Sequence, residues 1–301
     1  MQHTSGSTRL AAVAVAAMLL SPAAVCHADA QQASGQRRDA ARASKLYAFC
    51  VDMPAVKDPS IAEQARLFRE LAFDGAGYPL WLDERLEENL RVLDEAGLDV
   101  YLLHAAVNVN PDKPPYDPRL AAAIRKLRGR PVVVSVLLTG LPPGDPRGKE
   151  QARRALRELG DVAAAAGLRI SIYHHVNNWT ESLPFALQVA DETDHPNVGV
   201  NFNLCHWLKV DGDKDYRPVL ERHAAKIFAV TINGARLGAE TWTDGLIQPL
   251  DRGDFDNRRL LDTLRRIGYR GPVGLMCYGV PGPAREHLQR SMDVWHSWQA
   301  P

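Results

Sequence analysis

From Lys45 onward the sequence repeats one local pattern: a short β-favouring run, a turn, then a longer stretch with apolar residues at helical spacing. The β-rich runs are "LYAFCV" (46–51), "FDGAGY" (73–78), "DVYLLHA" (99–105), "PVVVSVLL" (131–138), "RISIYHH" (169–175), "VGVNFNL" (198–204), "IFAVTIN" (227–233) and "PVGLMCY" (272–278). Between them lie helical patterns such as 60–72, 82–97, 149–167 and 257–268, several followed by a glycine suited to a C-cap. Strict alternation of strand and helix requires a parallel sheet covered by helices. Eight repeats in about 255 residues predict a closed (β/α)8 TIM barrel, an α/β fold. A doubly wound dinucleotide fold is disfavoured, because the first turn, "CVDMPAVKDP", has no G-x-G-x-x-G.

A barrel of this kind builds its site where strands end and βα loops begin. Position therefore selects the candidates: Cys50 and Asp52, His104 and Asn108, Tyr173, His174 and His175, Asn203 and His206, Thr231 and Asn233, Cys277 and Tyr278. Strand four, ending in "SVLLTG", offers little. His174 and His175 are adjacent in an extended run, so only one faces the barrel axis. Asn201 and Asn203 alternate with Phe202 and share a side; inward amides at a barrel mouth suit sugar hydroxyls, or else a tie between strand and loop. Trp179, Trp207 and Trp242 fall in or after βα loops, where an indole either stacks on a sugar ring or packs the loop. Cys50 and Cys277 end strands that are neighbours once the barrel closes, which leaves a disulfide open if their registers align.

Ahead of the barrel, "LAAVAVAAMLLSPAAV" follows a single fixed cation, Arg9, and runs to a small-residue "ADA". Residues 1–30 read as a secretory signal peptide, 31–44 as a polar disordered lead-in, and 45–301 as the barrel domain. The expected location is periplasmic or secreted, with no membrane span. The three cysteines beyond the leader form no disulfide framework. Lys plus Arg and Asp plus Glu are equal at 36, so no basic face is implied and no nucleic-acid partner is expected.

The segments "GLRISIYHHVNNWTESLPFALQVADETDHPNVGVNFNLCHWLKVDG", "AVTINGA" and "PLDRGDFDNRRLLDTLRRIGYRGPVGLMCYG" resemble the sugar phosphate isomerase/epimerase family, with a xylose isomerase-like TIM barrel, and more narrowly an exported bacterial branch of it. The resemblance is strong in the C-terminal half and weak before about residue 150. It implies a divalent-cation site of a Glu ending strand five, an Asp ending strand six, a His on strand seven and a Glu ending strand eight. Those positions fall on or beside Tyr173, on Asn203, near Thr231, and on or near Cys277, so none of the four ligands is kept. The family histidines that follow are kept, as His175 and His206, and "GDFD" (253–256) matches the loop before the last helix. Asp256 also suits the N-cap of that helix.

A hard cation prefers charged oxygens, which this chain lacks at those positions. The cofactor expectation is therefore none certain, with room for one divalent ion (Zn, Mn or Mg) on His175 and His206. Catalysis is expected from His175, His206 and Tyr173, and substrate contact from His104, His174, Asn201, Asn203, Asn233 and Trp207. The expected partner is a small carbohydrate, and the expected reaction is proton transfer next to a carbonyl of an unphosphorylated or oxidised sugar, as in isomerisation or epimerisation. The alternatives are a catalytically silent carbohydrate-binding barrel or a keto-sugar lyase or hydratase of the same fold.

Overall fold

The computed structural model describes residues 44–53, 59–212 and 214–299; the expected leader and lead-in lie outside them, apart from Ser44. The strands are β1 (Leu46–Phe49), β2 (Gly75–Pro79), β3 (Asp99–Asn108), β4 (Val133–Thr139), β5 (Arg169–Tyr173), β6 (Val198–Asn203), β7 (Ile227–Ile232) and β8 (Val273–Met276). They close in sequence order into one eight-stranded barrel, with β1 paired to β8 and neighbours parallel throughout. Among the described residues, the helices are α1 (Ile61–Glu70), α2 (Arg85–Glu95), α3 (Leu120–Lys126), α4 (Lys149–Ala165), α5 (Leu183–Thr193), α6 (Leu204–Val210), α7 (Tyr216–Arg222), α8 (Asn257–Arg266) and α9 (Ala284–Gln299). None is long and apolar enough to cross a membrane.

Local chemistry sets these boundaries. Ser60 and Glu63 form a reciprocal capping box that starts α1, and Asp256 caps α8 by accepting from the Arg259 N–H at 2.9 Å. The "GDFD" loop is built for that cap: Gly253 sits at φ +83° beside Ala235, and Asp254 accepts from the Leu237 N–H at 2.7 Å.

The barrel interior pairs large aromatics with glycines. Tyr47, Phe49 and Tyr101 fill the lumen, and a Cβ at Gly274 would meet the Tyr47 ring at 2.5 Å, at Gly77 the Phe49 ring at 2.9 Å, and at Gly75 the Tyr101 ring at 2.7 Å. Phe49 and Tyr173, from strands on opposite sides of the barrel, approach to 6.3 Å between ring centroids. Two register shifts set which side chains reach the mouth. Tyr101 is an extra residue against β2 and Phe228 an extra residue against β6. The first turns Leu102, His104, Ala106 and Asn108 inward, and the second does the same for Ala229 and Thr231. β3 also continues beyond its expected end, pairing with β4 as far as Asn108 and Thr139.

Candidate active site

Tyr173 ends β5 facing the lumen, and the next two residues take opposite sides. His174 is fully enclosed, and its Nε2 accepts from the Asn203 N–H at 3.1 Å. Burial brings its pKa down to about 3, opposed in part by a bond with the Glu181 backbone. His174, expected at the substrate, laces the end of β5 to the end of β6.

Asn203 is the N-cap of α6. Its Oδ1 accepts from the His206 N–H at 3.3 Å and from the Cys205 thiol at 2.9 Å, which fixes the orientation of the amide. Its Nδ2 then donates to the Tyr173 hydroxyl oxygen at 2.8 Å. An oxygen that accepts from Asn203 keeps its own proton free to point elsewhere. Burial, followed by nearby Cys50 and Cys205, holds the Tyr173 pKa well above its ordinary value, so the hydroxyl stays protonated.

The first turn of α6 carries His206 against His175. Their ring centroids lie 3.9 Å apart at an interplanar angle of 43°. His175 Nδ1 is 2.8 Å from the Val176 carbonyl oxygen, to which it donates, and this tautomer leaves a lone pair on Nε2. Burial lowers the pKa of His175, opposed by the Val176 bond; burial, then His175 and His174, lowers that of His206 far more. Both rings are therefore neutral near pH 7. Tyr173 meets His206 and His175 edge-on at 5.7 and 5.8 Å. Across the mouth His104 stands edge-on to Phe49 at 5.8 Å, with its pKa brought down to about 4 by burial and then by His175.

Trp242 closes the group, edge-on to His206 at 5.4 Å. It comes from a short turn, Trp242–Leu246, capped by the Thr241 side chain and lying between β7 and α8. The sequence placed three tryptophans in or after βα loops. Trp207, expected at the substrate, is instead buried against Phe202, and Trp179 is buried with its indole N–H donating to the Asp145 carbonyl. Only the distance to His206 singles out Trp242.

Other expected residues are placed differently. Asn233, expected at the substrate, is buried, and its Nδ2 donates to the carbonyls of Gly234 and Leu246, so it pins the base of the Trp242 loop. Asn201 lies one step below Asn203 in the lumen with no exposure, and neither of its amide atoms has a partner among the described residues. Cys50 and Cys277 follow aligned positions of β1 and β8 but are free thiols, as is Cys205. Burial raises the pKa of all three.

Residues 66–298 match the xylose isomerase-like TIM barrel family. The chain belongs to that family. Inosose dehydratase of Bacillus licheniformis is 26% identical over 133 residues, 38% of this chain and 42% of that protein, so the chain spans less than half the length of this curated relative. Among solved structures, 3-keto-D-glucoside 4-epimerase from E. coli superposes with a TM-score of 0.65 at 17% identity, over 84% of this chain and 99% of that one. The IolI protein, solved with a bound zinc atom, gives a TM-score of 0.62 at 16% identity, over 84% and 97%. At such identities the structural likeness is one of fold.

Whether a metal of the kind bound by that neighbour fits here is decided by the donors. Among the described residues no group of three or more His, Cys, Asp or Glu side chains is placed to hold an ion. His175 and His206 supply two imidazoles, Asn203 already has both amide ends engaged, and the Cys205 thiol donates to Asn203. A zinc site needs at least three protein ligands, and a harder ion needs carboxylates. This family member's residues do not fit the group.

Proposed function

We propose that this barrel is a sugar-transforming enzyme that moves a proton next to the carbonyl of an unphosphorylated sugar or oxidised sugar derivative. The observation that carries this reading is the pairing of a base with a hydrogen-bond donor. His175, fixed by Val176, presents a lone pair on Nε2, and Tyr173, fixed by Asn203, has its proton free. The Nε2 atom takes a proton from the carbon beside the carbonyl, while the Tyr173 hydroxyl donates to the carbonyl oxygen as negative charge develops there. His206, 3.9 Å from His175 between centroids and tilted by 43°, disfavours a second positive charge, so the pair carries at most one positive charge at a time. Protonation of the opposite face of the same carbon from water, with the abstracted proton released from His175, gives an epimer; delivering the abstracted proton to the neighbouring carbon gives an isomer. Returning it to a hydroxyl leaving from the β-carbon eliminates water, a reaction consistent with the inosose dehydratase relatives.

An unphosphorylated substrate is supported by charge. Four cations at this end of the barrel are engaged within the protein: Arg119 with Asp117, Arg147 with Asp145, Arg236 with Asp244, and Lys209 of α6 with the Glu240 carbonyl. The apolar leader supports export as part of the same reading, tested by mass spectrometry of the N-terminus of the protein recovered from the periplasm.

The deciding experiment incubates the protein with a panel of keto and aldo sugars in deuterium oxide and follows exchange of carbon-bound hydrogen by NMR. Exchange with one substrate, abolished in both H175A and H206A, is expected. Sugar binding without exchange or turnover on any of the panel would favour a silent carbohydrate-binding barrel instead.

A further inference from the structure

The polar site does not occupy the whole mouth. Beside it a cavity of about 550 Å³ is bounded by the ends of β2, β3 and β4 and by the loop into α3. Its walls include Leu80, Leu82, Ala106, Asn108, Tyr116 and Thr139. This space lies along β3, the same strand that carries His104 into the candidate site. The Leu80 N–H donates to the His104 carbonyl at 2.8 Å, and Ala106 and Asn108 follow His104 on the same inward face.

The chemistry of the walls selects the occupant. Pro114, Pro115 and Pro118 carry no N–H, and the Pro115 carbonyl already accepts from the Asn108 N–H at 2.6 Å. Asn108 Oδ1 accepts from the Asn110 N–H at 2.9 Å, and Asp117 is paired with Arg119 at 2.7 Å. The Tyr116 hydroxyl is bonded to Glu158, which leaves its ring to face the space. Thr139 Oγ1 turns back to the Val107 carbonyl at 3.5 Å. The polar atoms of the lining are thus largely engaged within the protein. What remains for a ligand is aliphatic and aromatic surface, which rewards an apolar group and gives a second sugar ring few hydrogen bonds.

We propose that this cavity is a subsite for an apolar or aromatic group carried by the substrate beyond its reacting ring, so that the substrate is a glycoside with a hydrophobic aglycone, its sugar ring oxidised to carry the carbonyl, rather than a free sugar. The inference rests on the reading of the mouth as a sugar site and adds the class of sugar derivative. Ala106 is exposed and small, and a larger side chain there fills the cavity from the inward face of β3 without displacing packed core.

The test compares matched methyl and 4-nitrophenyl β-D-glycosides of glucose, galactose and xylose, titrated against the full chain by calorimetry and by saturation-transfer NMR. Wild type, A106W, Y116A and H206A are run together, with melting temperatures to establish that each variant folds. For at least one sugar the 4-nitrophenyl glycoside is expected to bind about tenfold tighter than its methyl partner, as burial of a phenyl ring predicts. Saturation should be strongest on the aromatic protons. A106W should remove the difference while leaving the methyl glycoside unchanged, Y116A should reduce it, and H206A should weaken both ligands. Equal binding of methyl and 4-nitrophenyl glycosides, or a preference that survives A106W in a folded protein, overturns the subsite and leaves the sugar site standing. No binding of any glycoside, together with no sugar in the exchange assay, overturns the sugar reading and the subsite with it.

Discussion

The imidazole rings of His175 and His206 lie 3.9 Å apart between centroids, and burial lowers the pKa of each. An isolated histidine titrates near 6.5. Both rings here should still be neutral at pH 6.5, so the acid limb of kcat/KM is expected below that value. NMR titration of the imidazole protons checks this directly. A midpoint at or above 6.5 for both rings would rule out a neutral pair.

His174, enclosed, and His104, partly buried, also tie stability to pH. His174 is brought down to about 3 and His104 to about 4, so the unfolded chain binds more protons than the folded one between those values and about 6.5. The stability they contribute is fully present above about pH 6.5 and is lost as pH falls through that window, by up to about 1.4 kcal/mol per pH unit for each group. Melting temperature is expected to drop between pH 6.5 and 4, and H174Q should show a shallower drop. An unchanged slope in H174Q would remove His174 as a contributor.

The barrel was legible because alternation of strand and helix is a long-range pattern that local ambiguity does not erase. Boundaries moved where the backbone departs from simple alternation. The extra residue at Tyr101 reverses the sidedness that period-two counting from Asp99 assigns to His104, and β3 runs three residues past its expected end at Ala105. Strand four, whose ending offered no catalytic group, closes one wall of the mouth through Thr139. The choice of His175 over His174 followed from strand geometry together with the family resemblance. Their separate tasks did not follow, since the bond from Asn203 to His174 joins residues 29 apart in sequence. Trp242 and Trp207 are equivalent as letters, and only the turn that seats Trp242 over His206 separates them.

Chelation provides a test of the donor chemistry. Two imidazoles and an amide already engaged at both ends make a weak set of ligands, so dialysis against EDTA is expected to leave both the melting temperature and hydrogen exchange on the identified substrate unchanged. Elemental analysis of the purified protein should find less than one tightly bound transition metal per chain. Stoichiometric metal that disappears in the H175A/H206A double variant would reverse the conclusion.

The "GDFD" loop is expected to be intolerant at its glycine for reasons of backbone geometry. Gly253 has a φ of +83°, and an added Cβ would overlap the carbonyl of Ala235, to which the loop is bridged. Both the left-handed backbone and the overlap oppose G253A, which should cost about 2 kcal/mol or more. Denaturant unfolding measures this, with D254A as a neighbour that loses only the hydrogen bond accepted from the Leu237 N–H and should cost less.

Asn203 directs the proton of Tyr173, and the isosteric exchange N203D isolates that task. The wild-type amide receives the Cys205 thiol and the His206 N–H on Oδ1, so it has only a donor to offer Tyr173. An aspartate would keep those two contacts but present an acceptor in place of the Nδ2 donor. The Tyr173 hydroxyl would then donate to residue 203 and no longer to the carbonyl oxygen of a substrate. Loss of one such donor is expected to lower kcat by about 10² to 10³, with KM changed much less and the melting temperature close to that of wild type. Y173F should cause a loss of similar size, and the double variant should be little worse than either single change, because both remove the same hydrogen bond. Additive losses in the double variant would mean that Asn203 and Tyr173 act separately, and the assignment of Tyr173 as the donor would then fail.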